Sequence, residues 1–116
     1  MFGAPAKVVL AAGATDMRRS IDGLSLIVAQ VLQQDPLSEH WFAFCNRGRD
    51  KIKLLHYDRN GFWLHYKRLE RGRFRWPDAS PHAETVMGRR ELSWLLEGLD
   101  LGQPQAFKAV SARLVA

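Results

Sequence analysis

Apolar positions along this chain first cluster and then change period. Residues 7–12 form a short apolar run closed by Gly13, which predicts a buried strand. Leu24, Ile27, Val28, Val31 and Leu32 then recur at the three- and four-residue spacing that lines one face of a helix. Ser20 stands where an N-cap belongs, Asp22 falls in the positive first turn, and Pro36 predicts that the helix ends at Gln34 or Asp35. From Trp41 the period becomes two. Residues 41–45, 52–57 and 62–69 are rich in aromatic and branched side chains and are separated by polar, glycine-containing breaks, so they predict a three-stranded antiparallel meander. Asn60-Gly61 is the strongest hairpin signal, because both residues tolerate the positive φ angles of a type I′ turn.

Alternation sorts the second hairpin into two faces. Leu55, Tyr57, Phe62, Leu64 and Tyr66 read as a core face; Ile52, Leu54, His56, Trp63, His65 and Lys67 form an amphipathic one, either covered by a helix or used as a working surface. If Asn60-Gly61 alone makes the loop, His56 and His65 lie directly across the ladder. Two imidazoles can begin a metal site, but a third ligand has no evident position beside them. A second helix is expected over residues 89–98, with Leu92, Leu95, Leu96 and Leu99 on one face and Gly98 or Gly102 as its stop. Both apolar helix faces are expected on the sheet, Leu24 to Leu32 together with Leu92, Leu95 and Leu96. Residues 103–116 read as a mobile or weakly apolar helical tail through Phe107, Val110 and Leu114. The expected architecture is α+β over residues 1–116 as one domain: a mainly antiparallel sheet of four or five strands with two or three helices packed on it.

The chain of 116 residues is 47% hydrophobic and 25% charged, enough for a core without a structural metal or disulfides. Its formal charge of +5 is unevenly placed. Between Trp41 and Trp76 stand ten Lys and Arg against Asp50, Asp58 and Glu70, while the remainder is slightly acidic. Local basicity of this kind points to a polyanion-facing surface rather than to general solubility. Cys45 is the only cysteine, which excludes an intrachain disulfide and a multi-cysteine metal site and fits a reducing compartment. No run of eighteen apolar residues and no signal-like N-terminus occurs, so no membrane partner is expected and the cytoplasm is the expected location.

The charge peaks in Lys67-Arg68-Leu69-Glu70-Arg71-Gly72-Arg73-Phe74-Arg75-Trp76-Pro77, where five cations and two rings accompany a single acid. Guanidinium groups repel at close spacing unless an anion lies between them, and each presents a planar fork that matches a phosphate or carboxylate at two points. The candidate DNA-binding residues are Arg47, Arg49, Lys51, Lys53, Lys67, Arg68, Arg71, Arg73 and Arg75, with Trp76 either stacking on bases or packed in the core. The plain alternative is a solvated hairpin edge whose cations guard against aggregation. Catalytic patterns are lacking: there is no nucleophile elbow, phosphate loop or dinucleotide fingerprint, and the acids are scattered where phosphodiester chemistry needs them convergent on metal ions. Asp16 alone has no evident local task beyond capping the first helix or pairing with Arg18. No cofactor is expected.

Taken in order, Thr15-Asp16-Met17-Arg18 with Gly23-Leu24, Asp35-Pro36-Leu37-Ser38, Phe44 with Arg47, Arg49-Asp50 and Lys51, the segment at residues 67–77, and Leu95-Leu96-Glu97-Gly98-Leu99-Asp100 resemble the TnpB-like, or Orf2-like, accessory proteins of the insertion sequence sixty-six family. The resemblance runs from about Val8 to about Pro104. It departs from the usual pattern at Cys45-Asn46, where basic or glycine-rich residues are common, and at Leu99, where isoleucine is usual. It implies a non-catalytic accessory factor in DNA transposition, with strand chemistry carried by a larger transposase of the same element. Two uses of the basic surface follow: binding DNA or helping the transposase do so, or docking an acidic patch of the transposase without touching DNA.

Overall fold

The computed structural model describes residues 7–79 and 86–98; the tail expected at residues 103–116 lies outside them. The chain runs β1 (Val8–Leu10), α1 (Ile21–Gln30), β2 (Trp41–Cys45), β3 (Lys51–Asp58), β4 (Gly61–Arg68), β5 (Val86–Met87) and α2 (Arg89–Leu96). The strands form one sheet in the order β4-β3-β2-β1-β5, with β1 parallel to β2 and every other pair antiparallel. This is the expected α+β class. The parallel pair exists because α1 separates β1 from β2, and a crossover of that length returns the chain in the same direction. β5 carries no sequence signal, being two residues recruited by the edge of β1.

Side-chain alternation gives the sheet two apolar faces. Val9, Phe42, Phe44 and Leu55 join Leu24 and Val28 of α1. Val8, Leu10, Ala43, Cys45, Ile52 and Leu54 join Leu92 and Leu95 of α2 together with Phe74 and Trp76. The two helices therefore cover opposite faces instead of sharing one, and both faces of β2 and β3 are core. Val31, expected in the stripe of α1, is its C-cap residue and 71% exposed. The helix ends early because Gln33 takes a left-handed φ of 53° and the amides of Leu32 and Gln34 turn back to the carbonyls of Ile27 and Val28. Ser20 holds the N-cap position without a side-chain capping bond.

The β3–β4 hairpin differs from expectation in register. Asp58 pairs with Gly61, so the loop is Arg59-Asn60, with the left-handed φ of 55° falling on Arg59 and Gly61 drawn into the strand. His56 consequently faces Trp63, and His65 faces Leu54. Face assignments survive, because the shift moves each partner by two residues and alternation has period two.

Candidate nucleic-acid interface

The end of the sheet where β2 stops and β3 begins is built by three segments stitched through their backbones. In the turn at residues 46–50, the Asn46 side-chain oxygen accepts the amides of Asp50 and Lys51 at 3.1 and 3.0 Å, and its amide nitrogen donates to the Asp50 carboxylate at 2.7 Å. Arg49 sits at a left-handed φ of 60°, and its carbonyl accepts the Phe74 amide at 2.6 Å. The Leu69 amide reaches the Asp50 carbonyl at 2.7 Å, and Gly13 donates to the Pro77 carbonyl at 3.0 Å. Thr15 in turn donates to the Cys45 carbonyl at 2.7 Å. Gly72 makes the bend that starts the strap over residues 73–77, with a φ of 76° that a side chain would strain.

Within that strap the chain alternates. Arg73 and Arg75 are exposed, whereas Phe74 and Trp76 are 1% and 5% exposed. The rings anchor the strap on the sheet, the Trp76 amide turns back to the Phe74 carbonyl at 3.1 Å, and the intervening Arg73 and Arg75 stand exposed. Trp76 donates its indole N–H to the Ala11 carbonyl at 3.0 Å, which satisfies the one polar atom this ring brings into the core. It offers no face for stacking a base. Of the two places expected for Trp76, the structure shows the packed one, directly beside the exposed Arg75.

Arg47 and Arg49 from the turn meet Arg73 and Arg75 from the strap around one open cleft of about 700 Å³, whose remaining lining is Gly72 and Phe74. None of these four, nor Arg71, forms an ion pair with a described residue. The nearby acid is already engaged. Asn46 donates to the Asp50 carboxylate and, with Lys51 at 3.4 Å, holds it below the usual carboxylate range. Burial pushes the Cys45 thiol up to about 11, so at neutral pH it is an uncharged core group beside the cleft.

The other expected contact residues do not join this cleft. Lys53 donates to the Met17 and Arg19 carbonyls at 2.8 Å each, tying the loop before α1 to the sheet, while Lys67 donates to the Leu96 carbonyl at 2.8 Å at the negative end of α2. They lie on opposite faces of the sheet. Arg68 forks onto Glu70 at 3.0 Å, and Arg71 is exposed outside the cleft lining. Asp16 binds Arg18 through both carboxylate oxygens and the Arg18 amide; the guanidinium and the amide together hold its carboxyl down at about 2. In the sequence Asn46 stands out as a departure from the family pattern, not as the residue that closes the turn. The signal for that closing role is an Asn four residues before an Asp, in a loop between two alternating runs.

A second polar cluster lies at the far end of the α2 face. His56 is 2% exposed and stacks on Trp41 with ring centroids 3.9 Å apart. The Nε2 atoms of His56 and His65 lie 2.9 Å apart, so one ring carries its proton at Nε2 and the other accepts there. Burial, and for His56 the neighbouring His65, lowers both pKa values, that of His56 to about 4. Among the described residues no group of three or more His, Cys, Asp or Glu is placed to hold a metal ion.

These features define a small α+β protein with a built arginine cleft at one end of its sheet. The stretches at residues 15–18, 47–51 and 67–77, remote in sequence, meet at that end. The chain belongs to the family described as IS66 Orf2 like protein, whose model matches residues 6–106. It is thus a transposition-associated accessory protein of that family. Two proteins of Sinorhizobium fredii (strain NBRC 101917 / NGR234) are similar: uncharacterized protein y4hO, 40% identical over 89% of each chain, and uncharacterized protein y4jC, 32% identical over 81% of this chain and 80% of its own. No solved structure matches. No helix among the described residues is long and apolar enough to cross a membrane.

Proposed function

We propose that the protein serves transposition without catalysing strand chemistry, by holding DNA through its phosphate backbone in the arginine cleft and so assisting the larger transposase in the cytoplasm. One observation carries this reading: four guanidinium groups converge on a single cleft, and none is neutralised by a described acid. Such a cluster is relieved when an anion enters it, and the two-point fit of guanidinium to phosphate supplies both charge and geometry. Phe74 and Trp76 are turned inward, so the cleft provides charge without stacking platforms. Contacts of this kind position a protein on DNA without reading its sequence.

The test is duplex binding by purified protein as a function of salt. Four phosphate contacts predict a slope of log affinity against log salt of roughly −3.6, at about −0.9 per contact. Replacing Arg73→Ala and Arg75→Ala together should flatten that slope by about 2 and weaken unrelated sequences alike. Failure to bind DNA at low salt, with capture of the transposase by the same arginines, would transfer the cleft to an acidic protein surface.

A further inference from the structure

The two edges of the sheet are unequal. Among the described residues β5 ends one side with two residues. β4 ends the other with eight, and among the described residues no strand pairs with its outer side. Proteins commonly guard such an edge with proline, a bulge or a charge. Residues 61–66, Gly-Phe-Trp-Leu-His-Tyr, contain neither proline nor charge, and their ladder to β3 runs without interruption. Trp63 and Tyr66 are 48% and 55% exposed, on opposite faces of the strand. Apart from its terminal Lys67 and Arg68, the edge has the composition of an interior strand.

We infer that β4 pairs antiparallel with β4 of a second copy of this chain, joining two five-stranded sheets into one. The strand is complementary to itself, because Phe62 and Trp63 lie toward one end and Lys67 and Arg68 at the other. Antiparallel pairing centred on His65 sets Phe62 opposite Arg68 of the second copy, Trp63 opposite Lys67, and Leu64 opposite Tyr66. A two-fold axis normal to the sheet keeps each pair on one face, as cross-strand packing requires, sets His65 against its own copy on the axis, and makes every other contact twice. Arg68, whose guanidinium is forked onto Glu70 at 3.0 Å, lays its methylene stem along the Phe62 ring. Lys67, whose ammonium is held by Leu96, lays its methylene stem on Trp63. A heterologous strand would gain only one set of these contacts. The arrangement is independent of what the arginine cleft holds, and it sends the two clefts to opposite ends of the shared ladder.

Sedimentation equilibrium of the full chain tests it. The native protein should show a concentration-dependent monomer–dimer equilibrium. Trp63→Lys places like charges opposite each other twice and should raise the dimer dissociation constant by at least about tenfold. Adding Lys67→Glu to Trp63→Lys converts both repulsions to attractions and should restore most of the loss. Tyr66→Lys, which touches the other face, should also weaken the dimer and provides a second variant should the double substitution fail to fold by circular dichroism. A native protein that stays monomeric at about 100 μM overturns the inference. So does a dimer indifferent to Trp63→Lys and Tyr66→Lys.

Discussion

On the α1 face of the sheet, Leu24 and Val28 descend from one regular helix onto Val9, Phe42, Phe44 and Leu55. On the opposite face, α2 covers only part of the surface, and the rest is closed by Phe74 and Trp76 from a strap with no repetitive structure. The core of the first face is apolar side chains throughout, with Lys53 tying its margin to the loop before α1. The second also buries His56, the one buried polar residue among those described, and carries on its outer side the arginines of the cleft. A change on the α1 face should therefore be felt as stability alone, whereas a change in the strap should be felt as stability and binding together. The difference arises because the buried rings and the exposed arginines alternate along one short strap, so a change in either set is felt by the other.

Trp76→Ala is the strongest way to break the second face. It removes a large ring and leaves the Ala11 carbonyl without its donor, and should cost about 3 to 5 kcal/mol in urea denaturation. Polyanion binding should fall with it under conditions where the variant is still folded. A full loss of binding at an unchanged denaturation midpoint would mean that the ring is a contact rather than an anchor.

The His56–His65 pair should separate the faces by pH. His56 titrates near 4 in the folded protein against 6.5 unfolded, so between those values the unfolded chain holds the extra proton. Stability should accordingly decline as pH falls from about 6.5 to about 4, by on the order of 2 to 3 kcal/mol, and level off below. His65, also lowered, acts in the same direction. Protonating the accepting ring sets two N–H groups against each other at 2.9 Å. Denaturation midpoints of native protein and of His56→Leu across this range check it: the variant should have the flatter profile, and parallel profiles would remove the pair from the account.

The smallest effects sharpen the reading of the α1 face. Val28→Ala, at a fully buried site, should cost about 1 to 2 kcal/mol and leave binding affinity unchanged. Val31→Ala, three residues on, should stay within about 0.5 kcal/mol, because the side chain stands in solvent beyond the end of the helix. Equal costs at the two sites would extend α1 by a further turn.

Period, composition and turn chemistry were sufficient for α1, β2, β3, β4 and α2, because each is a run of residues whose own spacing selects its conformation. They also located the basic segment. β5 was hidden because two residues have no period, and the loop at Arg59-Asn60 was hidden because Asn-Gly offers a turn at either of two neighbouring positions. The cleft was half legible. Its arginines were all named, but so were Lys53 and Lys67, whose side chains leave on opposite faces of the sheet for backbone carbonyls far away in sequence. Linear density of charge says that cations are near one another along the chain. Which of them share a surface depends on strand parity, on the anchoring of Phe74 and Trp76, and on the turn that Asn46 closes against Asp50, and these are set by contacts between segments that the fold alone brings together.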